Sequence, residues 1–153
     1  MNKKALIAMS GGVDSSVAAF LMKEQGYECI GATMKLYQND DIVINKEHTC
    51  CSLDDVEDAR AVAHSMGMDH YVMNFKEHFK EQVMDKFVHC YECGITPNPC
   101  IDCNRYLKFE YLYQRAQELG MDYVVTGHYA QIVQDETTAV SYTHLRAHET
   151  SLH

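Results

Sequence analysis

No apolar run in this sequence is long enough to cross a bilayer. Its hydrophobic stretches, Ala5-Leu6-Ile7-Ala8-Met9 and Val17-Ala18-Ala19-Phe20-Leu21 among them, are short, whereas a spanning helix needs about 20 apolar residues. No membrane partner is expected. Positive charge is also scarce: 13 Lys and Arg against 22 Asp and Glu leave a formal net charge of −9. That is the wrong sign for a domain that grips nucleic acid mainly through its phosphates. A nucleic-acid substrate would draw chemistry from this piece more than affinity. A cleavable leader is not expected either, because Asp14 interrupts the apolar region after the basic start and no small-residue cleavage site follows. Seven cysteines without a leader point to a reducing, cytoplasmic setting. There, cysteines serve catalysis or metals more often than disulfides. Proline is confined to Pro97 and Pro99, in one tetrapeptide.

What is present begins at Ala8-Met9-Ser10-Gly11-Gly12-Val13-Asp14-Ser15-Ser16. A strand-like run leads in and helical spacing follows, which is the layout of a phosphate cradle. Gly11 and Gly12 let the backbone approach an anion closely, while the amides and dipole of the opening helix attract it. Ser10, Ser15 and Ser16 carry hydroxyls able to donate to phosphate oxygens. The stretch lacks the Lys-Ser/Thr ending of a P-loop and the glycine spacing of a dinucleotide loop. SGGVDSS instead resembles the PP-loop of ATP pyrophosphatases, which split ATP into AMP and pyrophosphate. Asp14 is placed either to hold a magnesium ion or to cap the loop and orient its amides.

At 153 residues the chain suffices for one domain with a real core. Strand and helix patterns alternate along it, so an α/β fold with a doubly wound parallel sheet is expected. Strands are read over residues 27–34, 70–75 and 122–126, after the first at residues 5–9. The end of the second strand sets Met34 either against an adenine or in the core. A polar loop runs from Gln38 to Thr49, and Ser52 is read as the N-cap of the next helix. Gly127-His128-Tyr129 follows the fourth strand, at the ligand-binding edge of such a sheet.

A second chemical stretch is Cys90-Tyr91-Glu92-Cys93-Gly94-Ile95-Thr96-Pro97-Asn98-Pro99-Cys100-Ile101-Asp102-Cys103-Asn104. Its prolines make Thr96–Pro99 stiff, extended and non-helical. Helical spacing resumes with Leu107, Leu112, Ala116 and Leu119. Cys103 is thus expected near a helix N-terminus, a setting that favours the nucleophilic thiolate.

SGGVDSS, GATMKLY, CCSLDDVEDAR, GITPNPCIDCNRYLKF and TGHYA together resemble the tRNA-specific 2-thiouridylase family, from about Lys4 to Gln131. The resemblance implies the PP-loop ATP pyrophosphatase fold, with ATP, Mg2+ and tRNA as ligands and a sulfur-relay or cysteine desulfurase protein as donor. The implied enzyme is a tRNA-uridine 2-sulfurtransferase. It adenylates C2–O of the wobble uridine and then transfers sulfur from a cysteine persulfide, giving 2-thiouridine, AMP and pyrophosphate. Position by position, Ala8, Met9, Ser10, Gly11, Gly12, Val13, Asp14 and Ser15 match the phosphate loop. Met34 and Gly127 match nucleotide contacts. Asn98, Pro99 and Cys100 match the segment that meets the target base, His128 a residue near the tRNA, and Cys103 the nucleophilic cysteine. Pro97 and Pro99 supply a stiff wall for a flipped base.

Two features depart from the family. Cys100 makes a CxxC pair with Cys103, which makes them candidate ligands of zinc or of a [4Fe-4S] cluster in the full-length protein. Cys90, Cys93, Cys100 and Cys103 together spell C-x2-C-x6-C-x2-C, an alternative four-cysteine metal site. The family also continues well past TGHY, whereas here residues 141–153 match nothing in it. Residues 1–140 are therefore read as an incomplete PP-loop domain and 141–153 as a tail without native structure. A fragment of this kind is expected to be inactive alone, and a nucleotide-binding module without turnover is the rival reading.

Overall fold

The structure is a computed structural model that describes residues 3–37, 53–129, 131–134 and 139–142. Strand β1 (Lys4–Ala8) leads into helix α1 (Val13–Glu24) and strand β2 (Glu28–Lys35). Helix α2 (Leu53–Ser65), strand β3 (Asp69–Asn74) and helix α3 (Lys76–Phe79) follow. A π-helical segment, Lys80–Met84, joins α3 to α4 (Asp85–Glu92), and a second, Cys103–Tyr111, joins α5 (Pro99–Asp102) to α6 (Leu112–Glu118). Strands β4 (Tyr123–Val125), β5 (Gln131–Gln134) and β6 (Ala139–Tyr142) close the order. The polar loop from Gln38 and the expected cap Ser52 lie outside the described residues.

Four strands form one sheet in the order β3-β2-β1-β4, and all three pairings are parallel. The expected doubly wound parallel sheet is present. Alternation along β1 sends Ala5 and Ile7 to one face and Leu6 to the other, as a strand covered on both sides requires. On the first face, Ala19 of α1 and Ala59 and Ala63 of α2 pack over Ala5, Ile7 and Met9. On the second, Val83, Leu107, Leu112 and Ala116 pack over Leu6, Ala32 and Met34. Small alanines on α1 and α2 let those helices sit close to the sheet, while bulkier residues fill the opposite layer.

The TPNP segment differs from expectation in one respect. Residues 95–98 have no regular structure, but Pro99 is the first residue of α5, with Asn98 as its cap. The first helical position has no intrahelical N–H bond to lose, and the fixed φ of proline suits it. Beyond the sheet, β5 and β6 pair antiparallel as a separate two-stranded sheet. The division after residue 140 falls inside β6, where Ser141 and Tyr142 oppose Ile132 and Gln131. Residues 143–153 lie outside the described residues.

Candidate active site

The chain leaves β1 for β2 and β3 on one side, then returns to β4 on the other. That reversal opens a crevice at the C-terminal ends of β1 and β4, where ligands bind in open α/β sheets. The segments emerging there are Met9–Gly12 and Thr126–Tyr129. Their approach is close: a Cβ on Gly127 would lie 2.8 Å from Ser15 N and 3.0 Å from Asp14 C. Gly11 sits at φ +79, and a Cβ there would lie 2.7 Å from the Asp55 carbonyl oxygen of α2. The fold itself therefore demands glycine at 11 and at 127.

Gly12 is different. Its backbone is extended (φ −80, ψ 162), and among the described residues a Cβ there would meet only Ser10 Oγ, at 3.5 Å. Nothing among the described residues explains the missing side chain, whereas an anion settling on the amides that open α1 would. Val13 and Asp14 occupy the first turn of α1.

The serines divide the work in a way their shared hydroxyl chemistry does not reveal. Ser15 is buried; its Oγ donates to the Gly12 carbonyl at 3.0 Å and accepts from Ser10 N at 3.3 Å. Ser16 Oγ donates to the same carbonyl at 2.9 Å. Both hydroxyls shape the loop from within, and the exposed Ser10 is left as the serine that faces outward.

Tyr129, unassigned in the sequence reading, completes the crevice. Its hydroxyl donates to Asp14 Oδ1 at 2.6 Å, and the neighbouring carboxylate raises the phenol pKa above its ordinary 10.0. The only sequence signal was its place beside Gly127 and His128. His128 lies 2.8 Å from Thr126 Oγ1 through Nδ1, and its ring centroid is 5.6 Å from that of Phe109. Loss of solvent around the ring, and then Lys108, lower the His128 pKa. Residues of the Arg105-Tyr106-Leu107-Lys108-Phe109 stretch thus reach the end of β4.

Met34 is buried in the core on the α6 side of the sheet. What it leaves for a nucleotide is backbone near the C-terminal end of β2. Asn98 accepts from Cys100 N at 3.1 Å through its side chain. Cys100 is exposed at the start of α5, whereas Cys103 lies one turn further in, half-buried and packed against the core that holds Leu107. The helix-start position foreseen for Cys103 therefore belongs to Cys100, because Pro99 opens the helix rather than breaking it.

Cys29, Cys90, Cys93, Cys100 and Cys103 are all reduced. Among the described residues no three His, Cys, Asp or Glu side chains come together as metal ligands. The four-cysteine alternative is thus not assembled: Cys93 sits at the end of α4, 3.8 Å from His89 Nε2, rather than with the α5 pair. Among the described residues, no helix is long and apolar enough to cross a membrane.

Behind the loop, Thr33 Oγ1 donates to the Met9 carbonyl at 2.8 Å and lies 2.9 Å from His70 Nε2. Burial, and then Arg60, hold the His70 pKa below its ordinary 6.5. The unfolded chain thus takes up a proton near that value which the folded chain resists, so stability is full above it and falls as pH drops below it. Melting temperature is expected to fall between pH 7.5 and 5.5, and less steeply in His70→Gln. An equal fall in both proteins would show that His70 does not carry the effect.

A family model described as the tRNA methyl transferase HUP domain matches residues 3–150. The tRNA-specific 2-thiouridylase MnmA of Clostridioides difficile is 59% identical over 138 residues, which cover 90% of this chain and 38% of that protein. The corresponding protein of Clostridium kluyveri is 59% identical over 132 residues, or 86% of this chain and 37% of its own length. The chain thus spans well under half of these relatives. Among solved structures, the U34-tRNA thiolase NcsA from Methanococcus maripaludis, with its [4Fe-4S] cluster, has a TM-score of 0.57. It is 22% identical, over 83% of this chain and 39% of that one. A predicted subunit of a tRNA methyltransferase from Methanocaldococcus jannaschii has a TM-score of 0.54 at 22% identity, over 92% and 58% of the two chains. At such identities these structures speak to the fold alone, a parallel α/β sheet flanked by helices. With the family model matched along nearly its whole length, the chain belongs to the tRNA methyl transferase HUP domain family.

Proposed function

We propose that this chain is the ATP-using part of a cytoplasmic tRNA-uridine 2-sulfurtransferase. The observation that carries the reading is Gly12, a glycine with ordinary backbone and open space among the described residues, at the mouth of a helix start in the switch-point crevice. ATP phosphates lie on the amides from Ser10 to Ser15, and the nucleotide base lies towards Met34 at the end of β2. Gly127 closes the site from the β4 side.

The chemistry follows from the leaving group. A uridine carbonyl oxygen is a poor one, so C2–O first attacks the α-phosphate of ATP and pyrophosphate departs. The terminal sulfur of a cysteine persulfide then attacks C2 and expels AMP. A second thiol takes the inner sulfur into a disulfide, which frees 2-thiouridine. Cys103 is this chain's nucleophilic thiol. Asn98, Pro99, Cys100 and His128 line the approach of the target base of the tRNA. A cysteine desulfurase or sulfur-relay protein supplies the persulfide.

Asp14 suits magnesium by donor chemistry, since this ion takes one or two carboxylates and fills its remaining positions with phosphate and water. Bound there, the ion supplies charge neutralisation to the phosphates. Tyr129 holds one oxygen of Asp14 in place. An iron–sulfur cluster does not fit the described residues, because it needs more cysteine ligands than Cys100 and Cys103 and no third metal-binding side chain joins a group there.

Calorimetry with MgATP tests the site. Valine adopts the Gly12 backbone conformation without strain, so Gly12→Val is expected to fold normally. Its affinity for ATP is expected to fall about a hundredfold, the equivalent of about 2.7 kcal/mol, and Asp14→Ala is expected to weaken it as well. Unchanged affinity in both variants refutes the site. The rival reading is a module that binds ATP without turning it over. Absence of ATP–pyrophosphate exchange with tRNA present, alongside intact ATP binding, selects that reading.

A further inference from the structure

Thr33 is fully buried on β2 and His70 half-buried on β3, and neither belongs to the crevice. Their hydrogen-bond roles follow from proton counting. A hydroxyl has one proton, and the Met9 carbonyl can only accept, so Thr33 Oγ1 donates to Met9 O at 2.8 Å. The 2.9 Å contact with His70 then requires the imidazole Nε2–H to donate to Thr33. His70 Nδ1 is buried and has no hydrogen-bond partner among the described residues, a cost that the fold tolerates at this position. Met9 is tied to β2 a second time through its N–H, which donates to the Ala32 carbonyl at 2.9 Å.

The sheet is shaped to admit this pair. Ile7, Gly31 and His70 lie side by side across three strands. A Cβ on Gly31 would come within 2.8 Å of Met9 Sδ and 3.1 Å of His70 Cδ2. The thioether is a flexible end that can yield, but the ring is held by Thr33. Glycine at 31 thus leaves room for the histidine that orients the threonine.

Met9 directly precedes the Ser10–Ser15 part of the phosphate loop, and the peptide its carbonyl belongs to also carries the Ser10 amide. We propose that Thr33 and His70 are positioning residues for that loop: the chain His70 Nε2–H to Thr33 Oγ1 to Met9 O fixes the Met9–Ser10 peptide plane and, through it, the direction of the anion-binding amides. This rests on the ATP-site reading for its consequence in affinity, though not for its effect on the loop.

The test uses four variants of this chain. Thr33→Val and His70→Leu remove the hydroxyl and the Nε2 donor, whereas Thr33→Ser keeps the hydroxyl and His70→Gln keeps an N–H at the same reach. Backbone amide shifts of Ser10, Gly11 and Gly12 are expected to move in the first two variants and to stay near the unsubstituted chain in the last two. ATP affinity is expected to fall about tenfold in the first two, the equivalent of one lost hydrogen bond, and to be retained in the others. Val83→Ala, a core truncation on the opposite face, serves as the control for general destabilisation and is expected to lower the melting temperature without weakening ATP binding. Loop amides unmoved by Thr33→Val, or moved equally by Val83→Ala, overturn the proposal. Loop amides that respond in a chain that binds no ATP uphold the positioning role and overturn the nucleotide reading alone.

Discussion

Gly127→Ala is expected to abolish measurable ATP binding while the sheet stays folded. The added Cβ would meet Ser15 N at 2.8 Å, Asp14 C at 3.0 Å and Asp14 Cβ at 3.1 Å. Two of those atoms are backbone at the start of α1, so no flexible side-chain end can yield. Either α1 shifts or the end of β4 swings away. In both cases the amides that would hold the phosphates separate from Thr126–Tyr129, and the 2.6 Å bond from Tyr129 to Asp14 is stretched or lost. Overpacking of this kind costs about 1–3 kcal/mol of stability, which a domain can survive. The loss in ATP affinity is expected to exceed about a hundredfold. Calorimetry beside thermal melting checks this. Affinity within about twofold of the unsubstituted chain, in a protein that still melts cooperatively, would place the nucleotide away from the β1–β4 crevice.

The parts of this site legible in the sequence are those built from neighbours along the chain. β1, the glycine turn and α1 follow one another within Lys4–Glu24, so local patterning sufficed. Tyr129 and Asp14 are 115 residues apart, and Thr33 and His70 are 37 apart. No spacing rule links such pairs; only the parallel register brings them together. Pro99 was misread for a different reason. Proline breaks a helix interior but opens a helix equally well, and the Asn98 cap that decides between these is itself an ordinary loop residue. The π-helical segment Cys103–Tyr111 did leave a trace. Leu107 and Leu112 are both fully buried in the same core, yet they stand five residues apart, a step that matches the i→i+5 bonding of a π-helix. The serines were legible as donors but not in their targets, because a hydroxyl aimed at its own loop and one aimed at a ligand look alike in sequence.

The most complete loss of activity is expected at Cys103. In a protein of its relatives' full length, Cys103→Ser is expected to bring tRNA thiolation below detection while ATP binding persists. A serine hydroxyl has nearly the volume of the thiol but can neither carry a persulfide nor close a disulfide. The structure separates this cysteine from the other three in the stretch. Cys103 packs against the core that also contacts Ala8 at the foot of the phosphate loop, and packing fixes a side chain as a transfer step requires. Cys90 and Cys93 lie near the end of α4, whose Lys86 forms an ion pair with Asp102 of α5. Cys90→Ser and Cys93→Ser are each expected to keep most activity. Cys100 is the informative rival. It stands exposed in the first turn of α5, where the helix dipole acts most strongly, an influence that fades beyond the first turn. Thiolation assays on all four serine variants, beside calorimetry for ATP, decide between the two. If Cys100→Ser is inactive and Cys103→Ser retains thiolation, the helix start selects the nucleophile and the packed cysteine does not. If both are inactive with ATP binding intact, the CxxC pair acts as a unit: Cys103 attacks and Cys100 holds the base or resolves the disulfide.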